Sequence, residues 1–403
     1  MTAPPPPADE PFARSRALFF EGIGHFENGR LEQARQCFEE CQALTPGRPS
    51  VLGNLGVTLF HLGRWEEALP VLRQATAADP ALADAWVCLG LGHEAQRQWP
   101  AAAEALEKAL ALAPRRVPLW LTLGQVHLRL GAVQRALQAF DRALEADPAC
   151  APAWSERGSL LRELRRYDEA AACFEKALAL GGDAELNRYY LASVRSAEAP
   201  AAPPRRYVEQ LFDSYAAEFQ SHAVGTLGYR GFETLLAPLV RAGRRYRHVL
   251  DLGCGTGLCA PLIAPLADVL DGVDVSSAML EEARKLGLYR ELVHADLAEF
   301  LAATALRCDL ILAADVFIYV GGLTDVVRSA RRILEPGGCL AFTVELAEAG
   351  RDVQLLPSLR YAHSEGYLRR LADEAGFTRV RAFQAPLRHD QAVPVAGLYV
   401  YLE

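Results

Sequence analysis

Basic residues are in deficit. Lys and Arg number 42 against 50 Asp and Glu, a formal net charge of −8 over 403 residues, so the chain lacks the global positive field that draws proteins to nucleic-acid phosphates. Long apolar runs are missing too: no stretch of about 18 apolar residues occurs, which leaves no candidate membrane helix. The nine cysteines, at 37, 41, 88, 150, 173, 254, 259, 308 and 339, make no C-x-x-C pair and no regular framework. They read as reduced packing thiols of a cytoplasmic protein, with no metal site. The opening MTAPPPPADEPF has neither a basic n-region nor an apolar h-region. It reads as a disordered proline-rich tail over residues 1–14, not as a signal peptide.

With 51% hydrophobic residues, 403 positions suffice for two or more cores. The first half repeats itself. Prolines at 46, 80, 114 and 148, glycines at 22, 56, 90, 124 and 158, and alanines at 34, 68, 102, 136 and 170 all keep a spacing of 34, joined by Trp86, Trp120 and Trp154. This beat resembles the tetratricopeptide repeat. Five repeats, each a pair of antiparallel helices, are expected from Ser15 to Ala184, with small residues allowing close approach and each proline ending the second helix. In the fifth, Gly181-Gly182 replaces the proline, and DAELNRYYLASVRSAEAP reads as a capping helix that extends the solenoid over 15–198.

His25, His93 and His127 fall at one equivalent place in their repeats, where the family has a large packing residue, and so read as packing groups. Cys37 and Cys41 are i,i+4 neighbours, with Cys41 at a small packing position. Such stacks present a concave face to a protein or peptide. Here that face carries Phe19, Phe20, Ile23, Asn54, Val57, Cys88, Leu91, Thr122 and Gln125, with neither a cationic set for a terminal carboxylate nor an asparagine ladder.

EAPAAPPRR, residues 198–206, interrupts the beat and marks a linker at 199–206. After it, the apolar stretches HVLDLG, VLDGVDV, LVHAD, CDLILAAD and GGCLAFTVE alternate with amphipathic segments. That alternation predicts parallel strands with crossover helices, a doubly wound sheet whose ligands sit at the carboxyl ends of its strands. In VLDLGCGTGL the spacing Gly253-x-Gly255-x-Gly257 suits a dinucleotide, but Asp251, two residues earlier, would repel a pyrophosphate and attract a cation. S-adenosylmethionine, with a sulfonium and an ammonium, is such a ligand. The stretch resembles the first motif of the class I methyltransferases.

The resemblance runs from Tyr207 to the end and implies a seven-stranded Rossmann-like domain over 207–403. It implies donor contacts at Asp251, Gly253, Cys254, Gly255, Gly257, Asp274, Val275, Met279, Asp296, Leu297, Ala314 and Tyr319. Asp274 would bind the ribose hydroxyls, Met279 would touch the adenine, and Asp296 with the Leu297 backbone would take the adenine edge. Ser276 would cap a helix, and CDLILAADVFIYV would form the floor under the methyl group. The segment YVEQLFDSYAAEF is similar to the lid of bacterial methyltransferases fused to tetratricopeptide repeats, although Gln220 stands where that family often has Asp. It implies that Tyr215 approaches the donor carboxylate and that Phe212 or Phe219 shields the methyl.

A base is needed only for a hydroxyl or protonated amine acceptor, and His363 is the candidate by its place after the fifth strand. His294, beside Asp296, reads as structural. ADVFIYV is not the Asn/Asp-Pro-Pro-Tyr/Phe signature of enzymes acting on adenine or glutamine amides, and Cys254 and Cys259 lie in the donor loop, which disfavours a cysteine-nucleophile mechanism on cytosine. A small-molecule acid or phenol and a protein side chain delivered by the repeats both stay open as acceptors. Two functions stay open as well: an active methyltransferase whose repeats recruit a protein, and a repeat scaffold whose second domain senses the donor.

Overall fold

The computed structural model describes residues 10–195, 199–220, 229–390 and 393–403, without the side chains of residues 10, 214, 215, 217–220 and 390. By compactness the chain divides into one unit of residues 1–161 and 176–182 and a second of residues 162–175 and 183–403.

Ten helices carry the repeats: α1 (Glu10–Glu27), α2 (Leu31–Leu44), α3 (Pro49–His61), α4 (Trp65–Ala78), α5 (Ala83–Ala95), α6 (Trp99–Leu112), α7 (Val117–Arg129), α8 (Val133–Ala146), α9 (Ala151–Glu163) and α10 (Tyr167–Ala179). Because α1 starts at Glu10, residues 10–14 are helical and do not belong to a disordered tail. The spacing of 34 has a steric cause. A Cβ added to Gly22, Gly56, Gly90 or Gly124 would meet Phe38, Leu72, Leu106 or Phe140 at 2.7, 2.6, 2.8 and 2.3 Å, in each case the side chain 16 positions later on the facing helix. The periodic alanines 34, 68, 102 and 136 are 0% exposed. The tryptophans and prolines are linked directly: Nε1 of Trp86, Trp120 and Trp154 donates to the carbonyl of Pro80, Pro114 and Pro148 at 2.9, 2.8 and 3.0 Å.

The second unit continues through α11 (Ala184–Arg195), α12 (Arg205–Gln220), α13 (Gly231–Ala242), β1 (Tyr246–Leu252), α14 (Ala260–Ile263), β2 (Ala267–Asp274), α15 (Ser277–Arg284), β3 (Glu291–His294), α16 (Leu297–Ala303), β4 (Cys308–Ala313), α17 (Thr324–Ile333), β5 (Leu334–Leu346), β6 (Val353–Leu355), β7 (Tyr361–His363), α18 (Glu365–Glu374), β8 (Val380–Asp390) and β9 (Val393–Leu402). Strands β3-β2-β1-β4-β5 are parallel neighbours, and antiparallel β9 pairs with β5 and then with β8. These seven strands make the expected doubly wound sheet. The described residues contain nine, because a short β6-β7 hairpin pairs with the end of β5 through Glu345↔Ala362 and Leu346↔His363. One core holds Leu250, Leu252, Ile311 and Phe342 with α17 and α18; the other holds Val249, Leu310 and Tyr399 with α13 and α14. The alternation along β1 therefore covers both faces with helices, as buried parallel strands require.

Helix α11, expected to cap the solenoid, packs both on α10, where the Tyr190 and Phe174 rings lie 5.3 Å apart and Arg195 pairs with Glu175 at 3.2 Å, and on the added hairpin. Tyr189 is 0% exposed and clusters with Leu355, Leu359 and Tyr361, and its hydroxyl donates to the Leu359 carbonyl at 2.6 Å. The linker is also pinned. The Ala201 carbonyl accepts from Gly321 and Gly322 at 2.9 Å each, and the Pro200 carbonyl accepts from the Tyr361 hydroxyl at 2.7 Å. Proline and alanine restrict this segment locally, but these bonds hold it against the loop that follows β4.

Candidate active site

Strand β1 ends at Leu252, and the next five residues turn three times through left-handed backbone, with φ of 59° at Gly253, 54° at Gly255 and 85° at Gly257. Only glycine takes these conformations without strain. A Cβ at Gly253 would meet Val316 at 2.6 Å and one at Gly257 would meet Leu286 at 2.6 Å, whereas nothing lies within 4 Å of the position at Gly255. The outer two glycines thus permit packing within the chain, and the middle one faces open space where a ligand backbone can approach.

Two carboxylates flank this loop. Asp251 is 1% exposed, and its Oδ2 accepts from the Tyr289 hydroxyl at 2.7 Å. Burial pushes its carboxyl up to about 7, against the lowering effect of the Tyr289 bond, and nearby Asp274 adds to the rise. Asp274, at the end of β2, accepts from the Gly255 amide at 2.8 Å through Oδ2 and from the Ser276 amide at 2.9 Å through Oδ1. Burial raises its pKa as well. Asp251 and Asp274 lie at the carboxyl ends of the adjacent parallel strands β1 and β2, so this end of the sheet concentrates buried negative charge that a cationic ligand would relieve. Two hydroxyls, Thr256 Oγ1 in the loop and Tyr229 Oη before α13, are buried with no hydrogen-bond partner among the described residues. The orphaned Thr256 hydroxyl in the glycine loop fits the polar end of a donor molecule.

The other expected donor residues have these places. Ser276 caps α15, its hydroxyl accepting from the Met279 amide at 3.1 Å, and Met279 is 1% exposed beneath it. Asp296 caps α16, Oδ1 accepting from Ala298 at 2.8 Å and Glu299 at 3.1 Å, so its side chain orders the turn containing Leu297. The Val275 carbonyl accepts from His294 Nε2 at 2.8 Å, which makes that histidine structural. Cys254 departs from the expectation. Its amide is spent on the Val273 carbonyl at 3.1 Å and its sulfur packs against Gly272, so it shapes the loop without offering a group to a ligand. Ala314 and Tyr319 follow β4, Tyr319 closing the short 3-10 turn Phe317–Tyr319.

Helix α12 lies over this end of the sheet. Its Asp213 accepts from the Ser276 hydroxyl at 2.6 Å, one residue beyond Val275, and the Phe212 ring meets Tyr319 edge-on at 5.2 Å between centroids. Phe212 thus packs on the turn after β4; the side chains of Tyr215 and Phe219 lie outside the described residues. His363 is corrected. It is 0% exposed, its Nε2 donates to the Gly321 carbonyl at 3.1 Å, and burial lowers its pKa to about 4. It holds the loop after β4 as a neutral ring and has no path to an acceptor.

Sequence reasoning missed Tyr229, Tyr289 and a buried ionic cluster. Arg388 in β8 is 4% exposed and donates to both oxygens of Asp315 at 2.9 and 3.0 Å and to Glu345. A bulge aims it inward: from Pro386 to His389 β8 advances three residues while β9 advances two, from Ala396 to Pro394. Asp315 itself has φ 60°, one of the conformations in which an aspartate, unlike most residues, is tolerated. No local motif marks these residues, because they come from the turn after β4, from β5 and from β8. In the repeats, Cys88 is buried at 5% and leaves the proposed ligand face, while His93 and His127, each 3% exposed, pack between helices. Glu21, His25 and Cys37 bring one ligand atom each within 4.8 Å, as the i,i+4 spacing of the first two and the close α1-α2 pairing dictate.

Comparison with known proteins gives two family matches: a methyltransferase domain over residues 249–338 and tetratricopeptide repeats over 21–83, 89–149 and 121–185. Among similar proteins is a malonyl-[acyl-carrier protein] O-methyltransferase of Enterobacter lignolyticus, 31% identical over 189 residues, covering 44% of this chain and 71% of that protein. A ubiquinone biosynthesis O-methyltransferase of Thiobacillus denitrificans is 31% identical over 176 residues, covering 38% and 72%. A trans-aconitate 2-methyltransferase of Paracidovorax citrulli is 31% identical over 152 residues, covering 37% and 57%. Among solved structures, MamA matches 40% of this chain and 94% of its own, with 24% identity and a TM-score of 0.38.

Proposed function

Since the chain belongs to the class I methyltransferases and carries tetratricopeptide repeats ahead of that domain, we propose that it transfers a methyl group from S-adenosylmethionine to a small-molecule or protein acceptor, and that the repeats engage a protein partner. The functional division we propose keeps residues 15–198 as the recruiting part and 207–403 as the methyl-transfer part. Nine free cysteines fit a reducing, cytoplasmic setting, and no described helix is long and apolar enough to cross a membrane.

The observation that carries the reading is the buried pair Asp251 and Asp274 around a loop open only at Gly255. When bound, the donor supplies a methyl carbon already activated by a sulfonium. The chain supplies position. Asp251 faces the cationic end, Asp274 turns its remaining lone pairs toward the ribose, and Met279, Asp296 and Leu297 form the adenine side. Asp213 ties the α12 lid to the helix cap beside Asp274, and Phe212 and Tyr319 exclude water from the transfer path.

Calorimetric titration of the full chain with S-adenosylmethionine and S-adenosylhomocysteine, with NADH as control, tests this. Saturable binding of both sulfur nucleosides and none of NADH is expected, with Asp213→Ala weakening it several-fold by freeing the lid. Binding of neither nucleoside to the folded protein would remove the donor and leave the repeats as the working part.

A further inference from the structure

The first repeat brings together three side chains that no later repeat combines. Glu21 and His25 lie four residues apart on α1 and share one face of the helix, with His25 Nε2 3.6 Å from Glu21 Oε1. Cys37 reaches that face from α2: a Cβ built on Gly22 would stand 3.1 Å from the Cys37 Cβ. One ligand atom from each of Glu21, His25 and Cys37 lies within 4.8 Å of the other two. Thirty-four residues on, the same three places are Leu55, Leu59 and Val71, and 68 residues on they are Leu89, His93 and Ala105. Leu55 and Leu59 are 6% and 3% exposed, so these places ordinarily serve packing. An acid, an imidazole and a thiol gathered there are not what apolar burial selects.

The imidazole has no competing use. At the equivalent place two repeats later, His93 Nδ1 donates to Gln98 at 2.6 Å and Nε2 accepts from Arg73 at 3.4 Å. His25 Nδ1 is instead buried with no hydrogen-bond partner among the described residues, and the 3.6 Å from Nε2 to Glu21 is too long for a hydrogen bond. A ring held by no hydrogen bond is free to coordinate. Cys41, the other thiol of α2, is committed elsewhere, its Sγ donating to the Ser15 carbonyl at 3.2 Å.

We propose that the first repeat binds one divalent ion of the zinc class through Glu21, His25 and Cys37, clipping α1 to α2, with water in the fourth tetrahedral position. A carboxylate oxygen, an imidazole nitrogen and a thiolate suit a borderline ion, whereas magnesium and calcium take oxygen sets. Tetrahedral ligands stand about 3–4 Å apart at ordinary zinc bond lengths, and the Glu21 side chain, 60% exposed, has the freedom to close the remaining distance. Cys37 binds as thiolate and gives its proton to solvent; no electron is transferred.

The test uses the full chain, stripped with chelator, kept reduced and titrated with Co2+ and then Zn2+. A thiolate-to-cobalt charge-transfer band that saturates at one equivalent and is displaced by Zn2+ is expected. Cys37→Ser should abolish the band, Cys41→Ser should leave the affinity within about twofold, and His25→Gln and Glu21→Gln should each weaken binding by about tenfold or more. With Zn2+ at about 100 times its Kd, exchange of the α1 and α2 amides should slow about 100-fold in the unaltered chain and not in Cys37→Ser. Metal-free exchange within about twofold of the unaltered chain reports that a variant is folded. No saturable cobalt band, a band that survives Cys37→Ser, or affinity unchanged in both His25→Gln and Glu21→Gln overturns the site.

Discussion

Asp251→Asn separates stability from function at the donor site. The carboxylate is fully buried and rises from the ordinary aspartate value of 3.8 to about 7, a difference of about 4 kcal/mol between its two protonation states. Its folded pKa lies above its unfolded one, so its contribution to stability is greatest below pH 3.8 and declines by about 1.4 kcal/mol per pH unit until pH 7. Asparagine keeps an acceptor for the Tyr289 hydroxyl but cannot ionise. Relative to the unaltered chain, Asp251→Asn should therefore gain about 3 kcal/mol between pH 5 and pH 8, while donor affinity at pH 8 falls about tenfold or more. Because a chain with two units need not unfold in one step, amide exchange of β1 residues, corrected for intrinsic rates, is the appropriate readout of stability. A stability difference that does not change with pH would refute the assignment of a strained buried carboxylate. Undiminished donor binding would refute its role at the cationic end.

Other substitutions probe the scaffold. Gly124→Ala places a methyl group 2.3 Å from Phe140 and should cost about 1–3 kcal/mol, whereas Gly24→Ala, with nothing within 4 Å, should stabilise α1 by about 0.5–1 kcal/mol; thermal melts of the two side by side decide it. The inter-helix turns place left-handed residues at Gly29, Gly63, Arg97, Gly131 and Arg165, and Arg97→Gly should raise stability by about 0.5–1 kcal/mol in denaturant titration, the relief of φ 57° exceeding the added freedom of the unfolded chain. Arg388→Met strands Asp315 and Glu345 and should cost about 3–5 kcal/mol. Adding Asp315→Asn and Glu345→Gln should restore much of that loss, measured by the same titration.

Much was legible in the order of residues alone. The 34-residue beat is visible because each repeat solves one local problem: a small residue must lie under a large one on the next helix, and a tryptophan must reach the proline carbonyl six residues back. The donor loop is legible for a related reason, since its conformation needs glycine at fixed spacing and its charge needs Asp251 on the adjoining strand. Ser276 announced itself as a helix cap, an interaction that spans three residues, whereas Asp296 was expected at the adenine edge and also caps α16. What the tertiary structure alone decided is what depends on distant segments meeting. Cys88 sits on the right helix for an open face, yet facing helices bury it. His363 has the chemistry of a base, but β7 pairs with β5 and seals the ring from water. The capping helix closes on a hairpin whose sequence carries no repeat signal. Arg388, Asp315 and Glu345 are unremarkable in the chain, and become a buried ionic cluster only because a bulge turns one strand and parallel strands end side by side. Short-range sterics and hydrogen bonding write themselves into local patterns, whereas burial and electrostatic pairing are set by which strand ends the fold brings together.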